Sequence, residues 1–144
     1  MNWGSRKDKG SLEELIAALE RLLTGIRMTR LPLPRLLARL AQDCRHTGAL
    51  FAAAAETMGL GEDMEPVWRA EVQRLALPPE AKRLTAGLAP GLLGEEEAVS
   101  RALEGGCREL GRMLKRLRTG RRERETRTTA LCLSGAALLV ILLI

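Results

Sequence analysis

Residues 11–28 read SLEELIAALERLLTGIRM, and their spacing indicates an α-helix with one buried side. Leucine and isoleucine recur at intervals of three and four positions, which places them on one face of a helix. Ser11 and Glu14 have the spacing of a capping box, so we expect the helix to begin at Ser11. Because prolines follow at 32 and 34, the helix is predicted to end near Met28. The apolar positions are Leu12, Leu15, Ile16, Leu19, Leu22, Leu23 and Ile26.

The same helical spacing continues along the chain, interrupted by proline and glycine. Residues 87–94, with Pro90 and three glycines, are predicted to form a turn. No segment shows sustained period-two alternation, and aromatic residues make up only 2% of the chain, which argues against a β-rich fold. The sequence therefore predicts an all-α bundle of five or six helices. After the first, the predicted helices begin near Pro34, Gly48, Glu65, Pro79 and Glu95.

Residues 129–144 read TALCLSGAALLVILLI and contain no charged side chain. A helix of this length spans about 24 Å, against about 30 Å of hydrocarbon in a bilayer. It is apolar on every face, whereas a helix packed in a soluble domain keeps a polar stripe. We therefore predict a C-terminal transmembrane helix that acts as a tail anchor; a buried helix is the alternative. The predicted domains are a flexible N-terminus at 1–10, a cytoplasmic helical bundle at 11–128 and the anchor at 129–144.

Small residues in the predicted anchor indicate a surface for packing against another helix. Ala130, Ser134 and Ala137 lie on one helical face, with Gly135 beside them. Such residues let a second helix approach closely. The other interpretation is that small residues are simply tolerated in lipid.

Positive charge is concentrated immediately before the predicted anchor. The chain carries 23 Lys and Arg against 18 Asp and Glu, and eight of the basic residues fall within 112–127. We expect these eight to orient the anchor and to contact anionic lipid. Binding of nucleic acid by the same residues is the alternative function, but no aromatic set for base stacking accompanies them, so nucleic acid is not an expected partner. The residues are Arg112, Lys115, Arg116, Arg118, Arg121, Arg122, Arg124 and Arg127.

Catalytic chemistry is not indicated by the sequence. There is one histidine and no tyrosine, and neither a glycine-rich phosphate loop nor a cluster with metal-ligand spacing occurs. Cys44 and His46 project about 200° apart on a helix and so cannot share a proton there. Cys44 falls in an apolar stripe and is predicted to be a core cysteine. We expect no enzymatic activity, cofactor, metal or small-molecule substrate.

Four stretches occur in a recognisable order along the chain. They are IRMTRLPL at 26–33, the pair Leu50-Phe51, Trp68 within VWR, and the ending at 133–144. In this order the chain from about Leu12 to Ile144 resembles the stage III sporulation protein AB family, which closes in a similar Val-Ile-Leu-Leu-Ile run. Family members usually begin with an apolar segment, whereas this chain begins with MNWGSRKDKG.

The resemblance implies a membrane protein of endospore-forming bacteria, within the channel complex that links mother cell and forespore. It also implies a helical domain similar to the cytoplasmic domain of the inner-membrane platform protein of type II secretion systems. We therefore expect a non-enzymatic, single-pass protein of the cell membrane. Its bundle, in the mother-cell cytoplasm, is expected to scaffold other proteins of this secretion-like complex. Phe51 and Trp68 are expected to serve as core or partner-docking residues.

Overall fold

The computed structural model describes residues 6–126, with side-chain positions for residues 10–118. Within this range every regular element is an α-helix, which confirms the predicted all-α class. Six of these helices have eight residues or more, and one of four residues is a single turn. The described helices are α1 (Arg6–Met28), α2 (Leu33–Asp43), α3 (Gly48–Gly59), α4 (Met64–Arg74), α5 (Pro79–Ala86), α6 (Ala89–Leu92) and α7 (Glu96–Thr126).

Proline, glycine and aspartate set several helix ends where the sequence predicts them. Helix α1 ends at Met28, and Pro34 lies in the first turn of α2, where its missing N–H costs nothing. After α3, Gly61 has a φ of 72°, a conformation that glycine adopts without a steric penalty. The side chain of Asp63 then accepts the backbone N–H of Glu65 at 3.1 Å and caps α4.

Two local predictions are wrong. Helix α1 begins at Arg6 instead of Ser11, and Ser11 is buried inside the helix. No capping box forms at Ser11, because the Glu14 carboxylate binds the residues before α3. The predicted turn at 87–94 contains α6. Its Ala89 and Leu92 are buried, and tertiary packing therefore outweighs the weak helical propensity of this glycine-rich stretch.

The chain divides into two compact units, Met1–Leu114 and Lys115–Ile144. Helices α1 to α6 and the first part of α7 belong to the first unit. In α1 the predicted stripe is confirmed, since five of its seven positions are buried. Helix α2 contributes three leucines to the same core. The buried residues of these two stripes are Leu12, Leu15, Leu19, Leu22, Ile26, Leu36, Leu37 and Leu40.

Within the first unit, α7 runs antiparallel to α1. Arg27, near the end of α1, forms an ion pair with Glu104 of α7. Burial raises the pKa of the Cys107 thiol, about one turn later in α7, and Glu20, about two turns earlier in α1, lies close enough to raise it further. The start of α7 therefore lies beside the end of α1 and the segment that follows it.

Candidate functional site

The two aromatic residues singled out by the sequence lie in the core of the first unit. Phe51 and Trp68 are fully buried, with ring centroids 6.3 Å apart and ring planes inclined at 58°. The indole N–H of Trp68 donates to the carbonyl of Thr85 at 2.8 Å, so its polar edge is satisfied inside the protein. Of the two roles considered for this pair, burial fits the core role, since neither ring is presented at the surface.

Glu14 of α1 contacts the connection between α2 and α3 through hydrogen bonds that the sequence did not reveal. Its carboxylate accepts the backbone N–H groups of Arg45, His46 and Thr47 at 2.5, 2.7 and 2.8 Å. The Thr47 hydroxyl donates to it as well, at 3.2 Å. Partial burial alone raises the pKa of Glu14, but the hydrogen bonds from these donors outweigh it and hold the pKa below its ordinary value. Thr47 is the residue immediately before α3, so the carboxylate satisfies one N–H group at the beginning of this helix, as a cap does, and two that precede it.

Cys44 and His46 do not form a catalytic pair in this arrangement. Cys44 is the C-terminal cap residue of α2. It is half-buried, so it lies only partly in the core where it was predicted to lie. Burial raises the pKa of the Cys44 thiol, and burial likewise raises the pKa of Cys107 to about 11. Both thiols are therefore protonated and weakly nucleophilic at neutral pH. His46 is exposed and contacts Glu14 through its backbone N–H.

The predicted lipid-flanking residues lie mainly on the second half of α7. Arg112 belongs to the first unit and pairs with Glu109 at 3.1 Å. In the second unit Lys115, Arg116 and Arg118 are exposed. Positions 121, 122 and 124 fall within the helix, but their side chains are outside the described range, and residue 127 is outside it entirely.

The predicted anchor at 129–144 lies outside the described residues, and so do its small residues Ala130, Ser134, Gly135 and Ala137. None of the helices between residues 6 and 126 combines the length and the apolar composition needed to cross a bilayer. Across the same part of the chain, no group of three or more His, Cys, Asp or Glu side chains is arranged to hold a metal ion.

A groove of about 610 Å³ lies where the end of α1 and the segment after it meet the start of α7. We call it the α1–α7 groove. Ile26, Leu31 and Val99 form part of its apolar lining, and Arg27, Arg30 and Glu96 contribute charge.

A second groove, of about 530 Å³, lies between α1 and α2. Its polar groups are largely used within the protein: Arg21 pairs with Asp43 at 2.9 Å, and the hydroxyls of Thr24 and Thr29 donate to carbonyls one turn earlier in the chain. Glu20 and Arg39 also line this groove, and both are exposed.

The described residues therefore form an all-α structure with a well-packed helical unit, and the sequence becomes strongly basic towards the end of α7. The chain belongs to the stage III sporulation protein AB family, whose model matches residues 5–144. This match confirms the resemblance seen in the sequence and identifies a sporulation protein. A search of curated proteins and a search of solved structures gave no significant match.

Proposed function

We propose that this sporulation protein is a membrane-anchored assembly protein without catalytic activity. Its helical unit docks other components of a secretion-like channel complex between mother cell and forespore. The segment 129–144 is an anchor in the cell membrane, and the bundle lies in the mother-cell cytoplasm.

The main support for this proposal is that the residues on one face of α7 change from apolar to basic along the helix. Leu103, Leu110 and Leu114 are buried, and Leu117 continues their helical face. The next positions of that face are 121 and 124, and both are arginine. A helix loses its means of packing into a bundle once its apolar face becomes charged. The basic stretch then leads directly into sixteen uncharged residues, as expected for the cytoplasmic flank of an anchor.

Electrostatics supports contact between this flank and anionic lipid. A basic residue near a negatively charged leaflet gains about 1 kcal/mol. The eight basic residues within 112–127 are accompanied by only two acidic ones, Glu123 and Glu125. Their combined attraction is therefore large enough to hold the end of α7 at the membrane surface.

Membrane attachment is tested by carbonate extraction and flotation of the full chain. We expect the protein to stay with the membrane fraction. Val140→Arg places a charge within the anchor and should release it, whereas the matched control Leu60→Arg, at an exposed position of the first unit, should not. Recovery of the wild-type chain in the soluble fraction would overturn the proposed anchor.

The role of the basic flank is tested with vesicles of neutral and anionic lipid. Replacing Arg116, Arg118, Arg121 and Arg122 together by Gln should reduce the preference for anionic vesicles at least tenfold. A control with the same number of exposed arginines replaced, Arg35, Arg39, Arg45 and Arg83, should keep it. If the wild-type chain shows no lipid preference but binds duplex DNA with a steep salt dependence, the nucleic-acid alternative replaces the lipid role.

Docking is tested by purifying the tagged full chain in detergent from sporulating cells. We expect other membrane proteins of the sporulation complex to co-purify in constant proportion. The same protein carrying Val140→Arg serves as the control for contacts that need the membrane. Isolation of the wild-type chain without any other protein would overturn the assembly role while leaving the anchor intact.

A further inference from the structure

Two exposed apolar side chains lie in the segments that form the α1–α7 groove. The side chain of Met28 is 79% exposed and that of Leu93 is 48% exposed. Among the described residues, Leu60 is the one other large hydrophobic residue that is exposed. Met28 lies between the groove residues Arg27 and Arg30, and Leu93 precedes Gly94, which also lines the groove. Apolar surface next to a groove gains free energy when a partner covers it.

The groove is lined by charges of both signs, and only some of them are paired within the described chain. Arg27 pairs with Glu104, and Glu97 pairs with Arg101 at 2.9 Å. Arg30 and Glu96 line the same groove and are exposed, yet neither forms an ion pair with a residue that the structure describes. A partner that offers one negative and one positive group is complementary to Arg30 and Glu96.

A second copy of this chain offers those groups. In a two-fold symmetric interface the same patch is used by both subunits, so a contact from residue i to residue j occurs twice. A patch that carries one unpaired cation and one unpaired anion around apolar side chains is complementary to itself under that symmetry.

We propose that the α1–α7 groove is the interface of a homodimer in which Arg30 of each copy pairs with Glu96 of the other. Met28 and Leu93, which lie in the segments that form the groove, become covered in this dimer. A stable interface usually buries about 1,200 Å² or more, and this patch is small, so the dimer is weak and its population depends on protein concentration. The dimer lies in the first unit and goes beyond the proposed function, since it does not require the membrane anchor.

Charge reversal provides the test, with the full chain in detergent and its mass measured by light scattering and sedimentation over a range of concentrations. Arg30→Glu places two negative groups opposite each other, and Glu96→Arg places two positive groups there. We expect each variant alone to raise the dimer dissociation constant at least tenfold. The variant with both substitutions should restore dimerisation, because its pairs are again opposite in sign.

Mixing the two single variants is the decisive measurement. Each chain then presents the charges that the other needs, so a heterodimer should form although neither variant dimerises alone. The matched controls Arg83→Glu and Glu56→Arg reverse exposed charges elsewhere and should leave the wild-type equilibrium unchanged. Rescue by mixing also shows that the single variants are folded.

Three results would overturn the proposal. The wild-type chain could remain monomeric at the highest concentration studied. It could dimerise with an equilibrium that neither substitution changes, which would place the contact outside the α1–α7 groove. The substitutions could instead abolish binding of a different protein without affecting self-association, in which case the groove docks that protein. None of these results bears on membrane attachment, which the carbonate extraction tests separately.

Discussion

Glu14 caps the helix that Thr47 begins, although the two residues are 33 positions apart in the chain. The carboxylate receives both the backbone N–H and the hydroxyl of Thr47, at 2.8 and 3.2 Å. A cap normally comes from a residue next to the helix that it stabilises. Here the cap comes from α1, so the same contact also fixes the α2–α3 connection against α1.

Replacement of Glu14 by Gln should lower the free energy of unfolding by about 1–2 kcal/mol. Hydrogen bonds to a charged acceptor are then replaced by weaker ones, and one or more N–H groups lose their partner. The measurement is chemical unfolding of the full chain in mild detergent, followed by circular dichroism. Glu56→Gln, on the exposed side of α3, is the control and should change stability by less than about 0.5 kcal/mol. Equal effects of the two substitutions would show that the cap adds no stability.

The same contact predicts a pH dependence. The pKa of Glu14 is lower in the folded chain than its ordinary value of 4.5, so the ionised carboxylate stabilises the fold above that value. The contribution is lost as the pH falls through the lower, folded-state pKa. The difference in unfolding free energy between wild type and Glu14→Gln should therefore be constant near neutral pH and shrink below about pH 4.5. A difference that stays constant down to pH 3 would contradict this assignment.

Local patterns in the sequence were sufficient to predict most of the fold. The stripe from Leu12 to Ile26 and the proline at 34 act within one or two turns, and the structure confirms both. The cap by Glu14 had no local signal, because its partners lie 31 to 33 positions away. The capping-box spacing therefore suggested the wrong contact and, with it, the wrong start for α1. Helix α6 was missed for a related reason, since it packs against α4 and α7, which are distant in the sequence or follow it.

The surfaces proposed for interaction were predictable only in part. The basic stretch near the end of α7 is a feature of composition and could be read directly from the sequence. The α1–α7 groove could not, since Arg30 and Glu96 are far apart in the chain and become neighbours of one cavity only through the antiparallel packing of α1 and α7. Sequence spacing also gave no indication that Met28, at the end of a helix, would remain exposed.

Trp68 predicts a large loss of stability on a conservative substitution. Trp68→Phe removes the indole N–H that donates to Thr85 and leaves unfilled volume beside Phe51. We expect the free energy of unfolding to fall by about 2–3 kcal/mol. Chemical unfolding in detergent measures it, and Leu60→Ala, at an exposed apolar side chain, should cost less than about 0.5 kcal/mol. A loss for Trp68→Phe no larger than that of the control would argue against a packed aromatic core.

Two glycines should respond to alanine in opposite directions. A Cβ at Gly105 of α7 would meet no atom within 4 Å. Gly105→Ala should therefore raise the free energy of unfolding by about 0.5–1 kcal/mol, because alanine has the higher helix propensity and makes the unfolded chain less flexible. A Cβ at Gly91 of α6 would lie 2.4 Å from the Cβ of Ala102, which has no flexible side chain to move aside. Gly91→Ala should therefore lower the free energy of unfolding by about 1–3 kcal/mol.

Chemical unfolding of both variants and of Gly111→Ala separates packing from propensity. Position 111 is open in the same way as 105, so its alanine variant should also be stabilised. Because the three substitutions add the same methyl group, a difference in sign between Gly91 and the other two reports the close approach of α6 to α7. If Gly91→Ala is also stabilised, that close approach does not exist in solution.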